Sequence, residues 1–394
     1  MTNRHGLVSR GPALLPPAAP TARWRVIDRV VAFAFVVVLL VPAGAMAAGL
    51  RPGAIENRPI RAFPSISLGS LFDTSWYGAV DGALTDRLAL RPDAVRLRAE
   101  LAFAMGGTGT TRVVRGQGDW LFYGLDFVLT CRVSASALVA SLDSLKGQFD
   151  AHGQKLRVMV APDKSSIYPD RLLAGLAPTG CTAQNREPVR AALADRTTFT
   201  VDAWQLLEAA RRSMPGGLPL YYTQDTHWTP TGAAIAIHGL IDTFDPSLWD
   251  ERRVVADGTY AAVMDLASIV GRAATESSVR ILARPEMNVS RRQLPAAEAP
   301  NPLAVFELTT AGSDSVVGGR TLVIYDSFFG NVAADLVAPF LGDSIWITID
   351  VLLAHPELGQ RFGPFDTVIL ERVERGVYEV PLETILRPLV RTGG

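Results

Sequence analysis

From about residue 112 to residue 392 this chain predicts an α/β domain: a parallel sheet with helices on both faces. Three features point to it. Short, continuous apolar runs ("LRVMVAP", "RTLVIYDS", "SIWITID" and "FDTVILERV") have the length and β-branched content of strands buried on both sides. Helix-like segments separate them, over Ser134 to His152, near Val189 to Asp195, in "AWQLLEAARR" and after Thr229. Alternation of the two kinds of segment is the pattern of strands joined by helical crossovers.

Taken in order, residues 1–29 are rich in Arg, Pro and Ala and read as a disordered tail. Residues 30–50, "VVAFAFVVVLLVPAGAMAAGL", carry no charge and follow Arg23, Arg25 and Arg29. At about 1.5 Å per residue such a stretch spans a bilayer core of about 30 Å, and its basic flank puts the N-terminus in the cytoplasm. Val30 to Val41 is also a compact signal-peptide core, and Ala45-Met46-Ala47 fits a small-x-small cleavage site. Anchor and cleaved signal both stay open, and both export everything after Leu50. Residues 51–111 read as a helical linker region interrupted at Pro92. The domain of 112–392 begins with "TRVVRG" and "DWLFYG", runs through the helices and strands above, and has a loop-rich middle over 245–318.

With a formal net charge of −1 there is no global electrostatic case for nucleic-acid binding. Cys131 and Cys181 are the only cysteines. Export makes a bridge between them an expectation, with two buried thiols as the alternative, and neither has metal-ligand spacing.

The chemistry concentrates in two places. "TLVIYDSFFGN" puts Asp326-Ser327 at the end of a buried strand, with Gly330 and Asn331 turning the chain into a helix. Functional groups of an open parallel sheet gather there, and a serine so placed has the position of a nucleophile with turn N–H groups nearby. "YYTQDTHWTPTGAA" supplies the rest. Thr229 and Pro230 are a helix cap and first turn, which leaves Asp225 and His227 to be accounted for. In extended chain their side chains share one face, so the carboxylate can hold the imidazole Nδ1 proton and leave Nε2 free to take one from serine. Asp225, His227 and Ser327 thus make an orienter, a base and a nucleophile. A metal-binding Asp-x-His pair and a structural turn are the competing readings; among His152, His238 and His355 no third ligand is obvious, and no metal or other cofactor is expected. Lys164 and Tyr168, in "APDKSSIYPD" after a strand end, are candidates to border the crevice. Trp228 is either a floor for a sugar or packing that shapes its loop, and Asn331 is a candidate oxyanion donor or a helix cap.

Asp225-Thr226-His227-Trp228 before a helix, and Asp326-Ser327-Phe328 after a strand, resemble the alginate O-acetyltransferase family, the AlgJ/AlgX group with an SGNH-hydrolase-like domain. "GDWLFYG" at 118–124, "APDKSSIYPD" at 161–170 and "VILERVERG" at 368–376 are further echoes. The resemblance implies an SGNH-like fold with circularly permuted motif order, since the Asp/His pair precedes the serine. It implies an acetyl-serine on Ser327 and transfer of acetyl to a hydroxyl of an exported, alginate-like polysaccharide. It also implies a multi-pass membrane acyltransferase as donor relay, and a periplasmic location anchored to the inner membrane by residues 30–50. Tyr325 departs from the pattern, standing where such motifs often have glycine. A carbohydrate esterase with the same triad and a non-catalytic polysaccharide-binding scaffold remain the alternatives.

Overall fold

The computed structural model describes residues 22–49, 60–88, 91–128, 130–213, 219–294, 304–311, 317–330 and 332–391. Its strands are β1 (Val113–Arg115), β2 (Leu121–Tyr123), β3 (Lys155–Ala161), β4 (Thr200–Val201), β5 (Val254–Val263), β6 (Thr275–Ala283), β7 (Val289–Gln293), β8 (Val305–Thr310), β9 (Val317–Tyr325), β10 (Leu341–Thr348) and β11 (Thr367–Val373). Seven of them form one sheet in the order β4-β3-β11-β9-β10-β8-β7. The first five run parallel; β8 is antiparallel to β10, and β7 to β8. The sheet is therefore mixed where a parallel one was expected.

The apolar runs are its centre. Every residue of β11 is buried, as are the last five of β9, which requires cover on both faces of the sheet. The cover includes the helices Ala135–Ala151, Ala203–Ser213 and Pro230–Asp242, whose Leu138, Leu142, Trp204, Leu207, Ile237 and Leu240 join Val158, Val323 and Ile369 in one continuous core. Ser134 caps the first of these helices and Thr229 the last, each accepting a main-chain N–H.

Two expectations change. "TRVVRG" and "DWLFYG" pair with each other as the β1–β2 hairpin outside the main sheet. The middle expected to be loop-rich contains β5 to β8. β5 and β6 form a separate antiparallel ribbon, and β7 is an edge strand whose Arg291 and Arg292 face solvent. Strands with one wet face lack the continuous apolar run by which the others are recognised, and a charged edge resists further pairing.

The described chain divides into two compact units, one up to residue 94 and the other, with the sheet, from 95 onward. In the first, the helix Ala22–Ala47 contains most of the 30–50 segment and exposes Phe33, Phe35 and Leu40, while Arg61 pairs with Asp86 at 3.0 Å. Among the described residues no helix is long and apolar enough to cross a membrane. The tail expected over 1–29 lies outside the described residues up to 21, as does 51–59 of the linker. Cys131 and Cys181 are bridged, with Cα atoms 5.2 Å apart, and Asn185 Nδ2 lies 3.1 Å from Cys131 Sγ.

Candidate active site

Parallel strands deliver their carboxyl ends to one edge of the sheet, and β3, β9, β10 and β11 converge there. The turn after β9 is set by Asp326. Its Oδ1 accepts the Phe328 N–H at 3.0 Å, its Oδ2 accepts the Val373 N–H at 2.7 Å, and its own N–H donates to Glu371 Oε2 at 3.1 Å. One side chain thereby ties the turn to the end of β11. Glu371 is fully buried, and burial, followed by the Asp326 charge beside it, pushes its carboxyl well above the usual range. Ser327 follows as the first residue of a four-residue helix, exposed in a cleft of ≈ 600 Å³ that Trp346, Asp350, Arg372 and Arg375 also line. The serine itself opens that helix, and the helix expected after Asn331 follows as Ala333–Val337. Asn331 lies outside the described residues.

The segment bearing Asp225 and His227 folds back on itself. Thr229 N–H donates to Leu220 C=O at 2.8 Å, Tyr221 bridges Trp228, and Tyr222 N–H donates to His227 C=O at 3.2 Å. Gly232 lets this happen, because a Cβ there would meet the Leu220 carbonyl oxygen at 2.3 Å. At the tip, Asp225 Oδ1 accepts both the His227 N–H at 2.9 Å and Nδ1 at 2.7 Å. The two side chains meet across a turn in which aspartate bonds the main chain two residues on, rather than along the extended chain expected.

Side chains distant in sequence hold the tip. Lys164 Nζ donates to the carbonyls of Tyr222 (3.0 Å), Thr223 (3.1 Å) and Asp225 (2.5 Å). Glu276, on β6, accepts the N–H groups of Thr223 and Gln224 at 3.0 and 2.8 Å. Asp265 accepts the Thr226 N–H at 2.7 Å, and its own N–H donates to Asp225 Oδ2 at 2.7 Å. The spacing of Asp-x-His gives no hint of Asp265 or Glu276.

Lys164 and Tyr168 do not border the crevice. Lys164 is 2 % exposed, and burial brings its ammonium down to about 8, against the pull of Asp225 and Asp265. Tyr168 is buried, its hydroxyl accepting the Leu220 N–H at 2.9 Å and its ring packed on Trp120. Trp228 is 1 % exposed and donates Nε1–H to the Phe328 carbonyl at 2.9 Å, so it joins the two halves of the site and offers no open face to a sugar.

Phe328 is the seam. Its ring centroid lies 5.0 Å from that of His227 and 5.3 Å from that of Trp228, while its neighbour is Ser327. The structure thus brings Asp225 and His227 into contact and sets the turn of Ser327 against them. His227 Nε2 is buried and has no hydrogen-bond partner among the described residues. Burial disfavours the imidazolium, but the Asp225 hydrogen bond and the Asp225 and Asp265 charges outweigh it and raise the pKa above the ordinary value. Burial likewise lifts Asp225, and the bonds from His227 and the main chain overcome it, holding the carboxyl below its usual range. Asp225, His227 and Asp265 place ligand-type atoms within 4.8 Å of one another, close enough to share a metal ion. Both oxygens of Asp225 and Oδ1 of Asp265, however, already take main-chain N–H groups or Nδ1, the arrangement of a hydrogen-bonded acid–imidazole pair.

Residues 113–293 match the family described as the SGNH hydrolase-like domain of acetyltransferase AlgX. The match contains Asp225, His227 and Asp265 and ends before Ser327. A probable alginate O-acetylase AlgJ of Pseudomonas syringae is 24% identical over 190 residues, 48% of this chain and 47% of that protein. The chain spans about half the length of the curated relatives it matches. Among solved structures, the O-acetyltransferase domain of Pseudomonas putida AlgJ covers 71% of this chain and 99% of its own, at 18% identity and a TM-score of 0.45. Pseudomonas aeruginosa AlgX covers 66% of this chain and 62% of its own, at 18% identity and a TM-score of 0.43.

Proposed function

We propose that the chain is a member of the AlgJ/AlgX-like family, which the match over residues 113–293 supports, and that it is an O-acetyltransferase acting on hydroxyls of an exported, alginate-like polysaccharide. The observation that carries the chemistry is the Asp225–His227 hydrogen bond with Nε2 left bare, against the turn that presents Ser327. Ser327 Oγ attacks the acetyl carbonyl of the donor while His227 Nε2 takes the hydroxyl proton. The donor's leaving group departs with that proton, leaving acetyl-serine. A sugar hydroxyl then gives its proton to Nε2 and attacks the acetyl carbonyl; Ser327 leaves and recovers the proton. Asp225 fixes the Nδ1–H tautomer and stabilises the imidazolium formed in each half.

On this reading the motif order, Asp-x-His before Ser, is a circular permutation of the usual SGNH order. The donor arrives through a multi-pass membrane acyltransferase, and residues 30–50 hold the chain at the inner membrane with its domain in the periplasm.

The test is intact-mass spectrometry of the protein after incubation with an activated acetyl ester, alongside Ser327→Ala. One acetyl adduct mapped to Ser327, absent from the variant and discharged by alginate oligosaccharides, is the expected result. An adduct discharged by water alone makes the protein an esterase. No adduct and no ester turnover in folded protein makes it a binding scaffold.

A further inference from the structure

His227 has two carboxylates at one ring nitrogen. Asp225 Oδ1 is 2.7 Å from Nδ1, and Asp265 Oδ2 is 3.8 Å from the same nitrogen, while Nε2 has no hydrogen-bond partner among the described residues. Asp265 belongs to a different part of the chain, the start of the helix Asp265–Ile269 after β5. It reaches the pair twice more: its N–H donates to Asp225 Oδ2 at 2.7 Å and its Oδ1 accepts the Thr226 N–H at 2.7 Å. Both oxygens of Asp225 are thus committed, one to His227 and one to the Asp265 main chain. The side chain of Asp265 then closes the loop on the residue between the two partners.

We propose that Asp265 is a positioning residue of the acid–base pair, a second carboxylate that orients Asp225 through its main chain and makes His227 a stronger base through its charge. The proposal rests on the acyl-transfer reading for its consequence in turnover, but not for its effect on the imidazole.

The physical argument turns on what else faces the ring. Asp225 comes from its own segment, Asp265 from the helix after β5, and Arg375 from the end of β11, where it opposes protonation. Behind them, Lys164 lies against Asp225 and Asp265, with Glu276 and Asp126 acting on Lys164 in turn, and Tyr222 lies near Asp225. Arg375 therefore opposes the protonation of His227, so Asp225 does not act against neutral surroundings. Burial and the Asp225 charge raise the Asp265 carboxyl above its ordinary value, yet the His227 ring and the Thr226 bonds pull it back. Two carboxylates at one ring nitrogen favour imidazolium more than one does, and an opposite charge within about 4–6 Å shifts a pKa by about 1–3 units.

Asp265→Asn keeps an oxygen for Thr226 and keeps the main-chain N–H on Asp225, so it removes charge with little change of shape. His227 is titrated by NMR of its ring signals, assigned with His227→Gln, in the full chain and in Asp265→Asn. The ring pKa is expected to fall by about one unit in the variant, with the acid limb of kcat/KM for an activated acetyl ester moving down by the same amount. An unchanged ring pKa overturns the proposal, whatever the activity. A lowered ring pKa in protein inactive even as wild type upholds the effect on His227 and rejects the acyl-transfer reading. Should Asp265→Asn unfold, Asp265→Glu serves, since it retains charge and is expected to keep the ring pKa within a few tenths of wild type; a fall as large as a unit there would also overturn the proposal.

Discussion

Asp225 and His227 illustrate how much a pair of side chains can decide. Asp225→Asn is expected to cost about 10³–10⁴ in kcat, because the amide cannot hold Nδ1–H in the same tautomer, and about 1–3 kcal/mol of stability, because its NH2 meets a buried donor that the carboxylate accepted; steady-state kinetics beside a thermal melt checks both. The pH dependence has a definite sign. The folded pKa of His227 is raised above its ordinary 6.5, so the protonated pair stabilises the fold fully below about pH 6.5, and this is lost as pH rises through the folded pKa. A base must be neutral, so the acid limb of kcat/KM is expected above pH 6.5, where stability from this pair is already declining. A pH profile with its limb at or below 6 would contradict it. Lys164 makes a different statement. Lys164→Met leaves three main-chain carbonyls without their donor and removes a buried positive charge near Asp225 and Asp265, and about 3 kcal/mol of stability is expected to go with it, measured as a lowered urea midpoint. Its role was hidden in the sequence. A lysine after a strand end reads as a surface residue until the loop that covers it is in place, and Asp265 in "MDLASI" looks like any aspartate opening a helix.

At the level of elements, legibility follows burial. β3, β9, β10 and β11 were readable because both their faces are covered, which leaves continuous apolar runs in the sequence. β5, β6 and β7 have wet faces and mixed composition, so nothing distinguished them from loops. The helix Pro230–Asp242 was readable from its cap, whereas the Leu220–Thr229 fold-back before it was not, because its pairing depends on Gly232 lying against a carbonyl. Gly232→Ala places a methyl 2.3 Å from the Leu220 oxygen and must part the Leu220–Thr229 bond. The expected result is a cost of about 1–3 kcal/mol with a loss of activity larger than the loss of stability implies. Circular dichroism and ester turnover on one preparation would expose the opposite outcome, equal losses in both.

For the whole molecule, the bridge and the seam matter most. Cys131 and Cys181 close a loop of 50 residues, and removing it, as Cys131→Ser with Cys181→Ser, is expected to cost about 4 kcal/mol through the unfolded chain, read from denaturant midpoints with and without reductant. The seam at Phe328 has another consequence. The serine is mounted on the sheet and the base on a loop stapled by Lys164, Asp265 and Glu276. The two mounts meet at one aromatic ring and one indole-to-carbonyl bond. Warming loosens such a joint before it melts a buried sheet. A sample that still looks native to a spectrometer can therefore already have stopped working, and its useful lifetime is set by alignment rather than by folding.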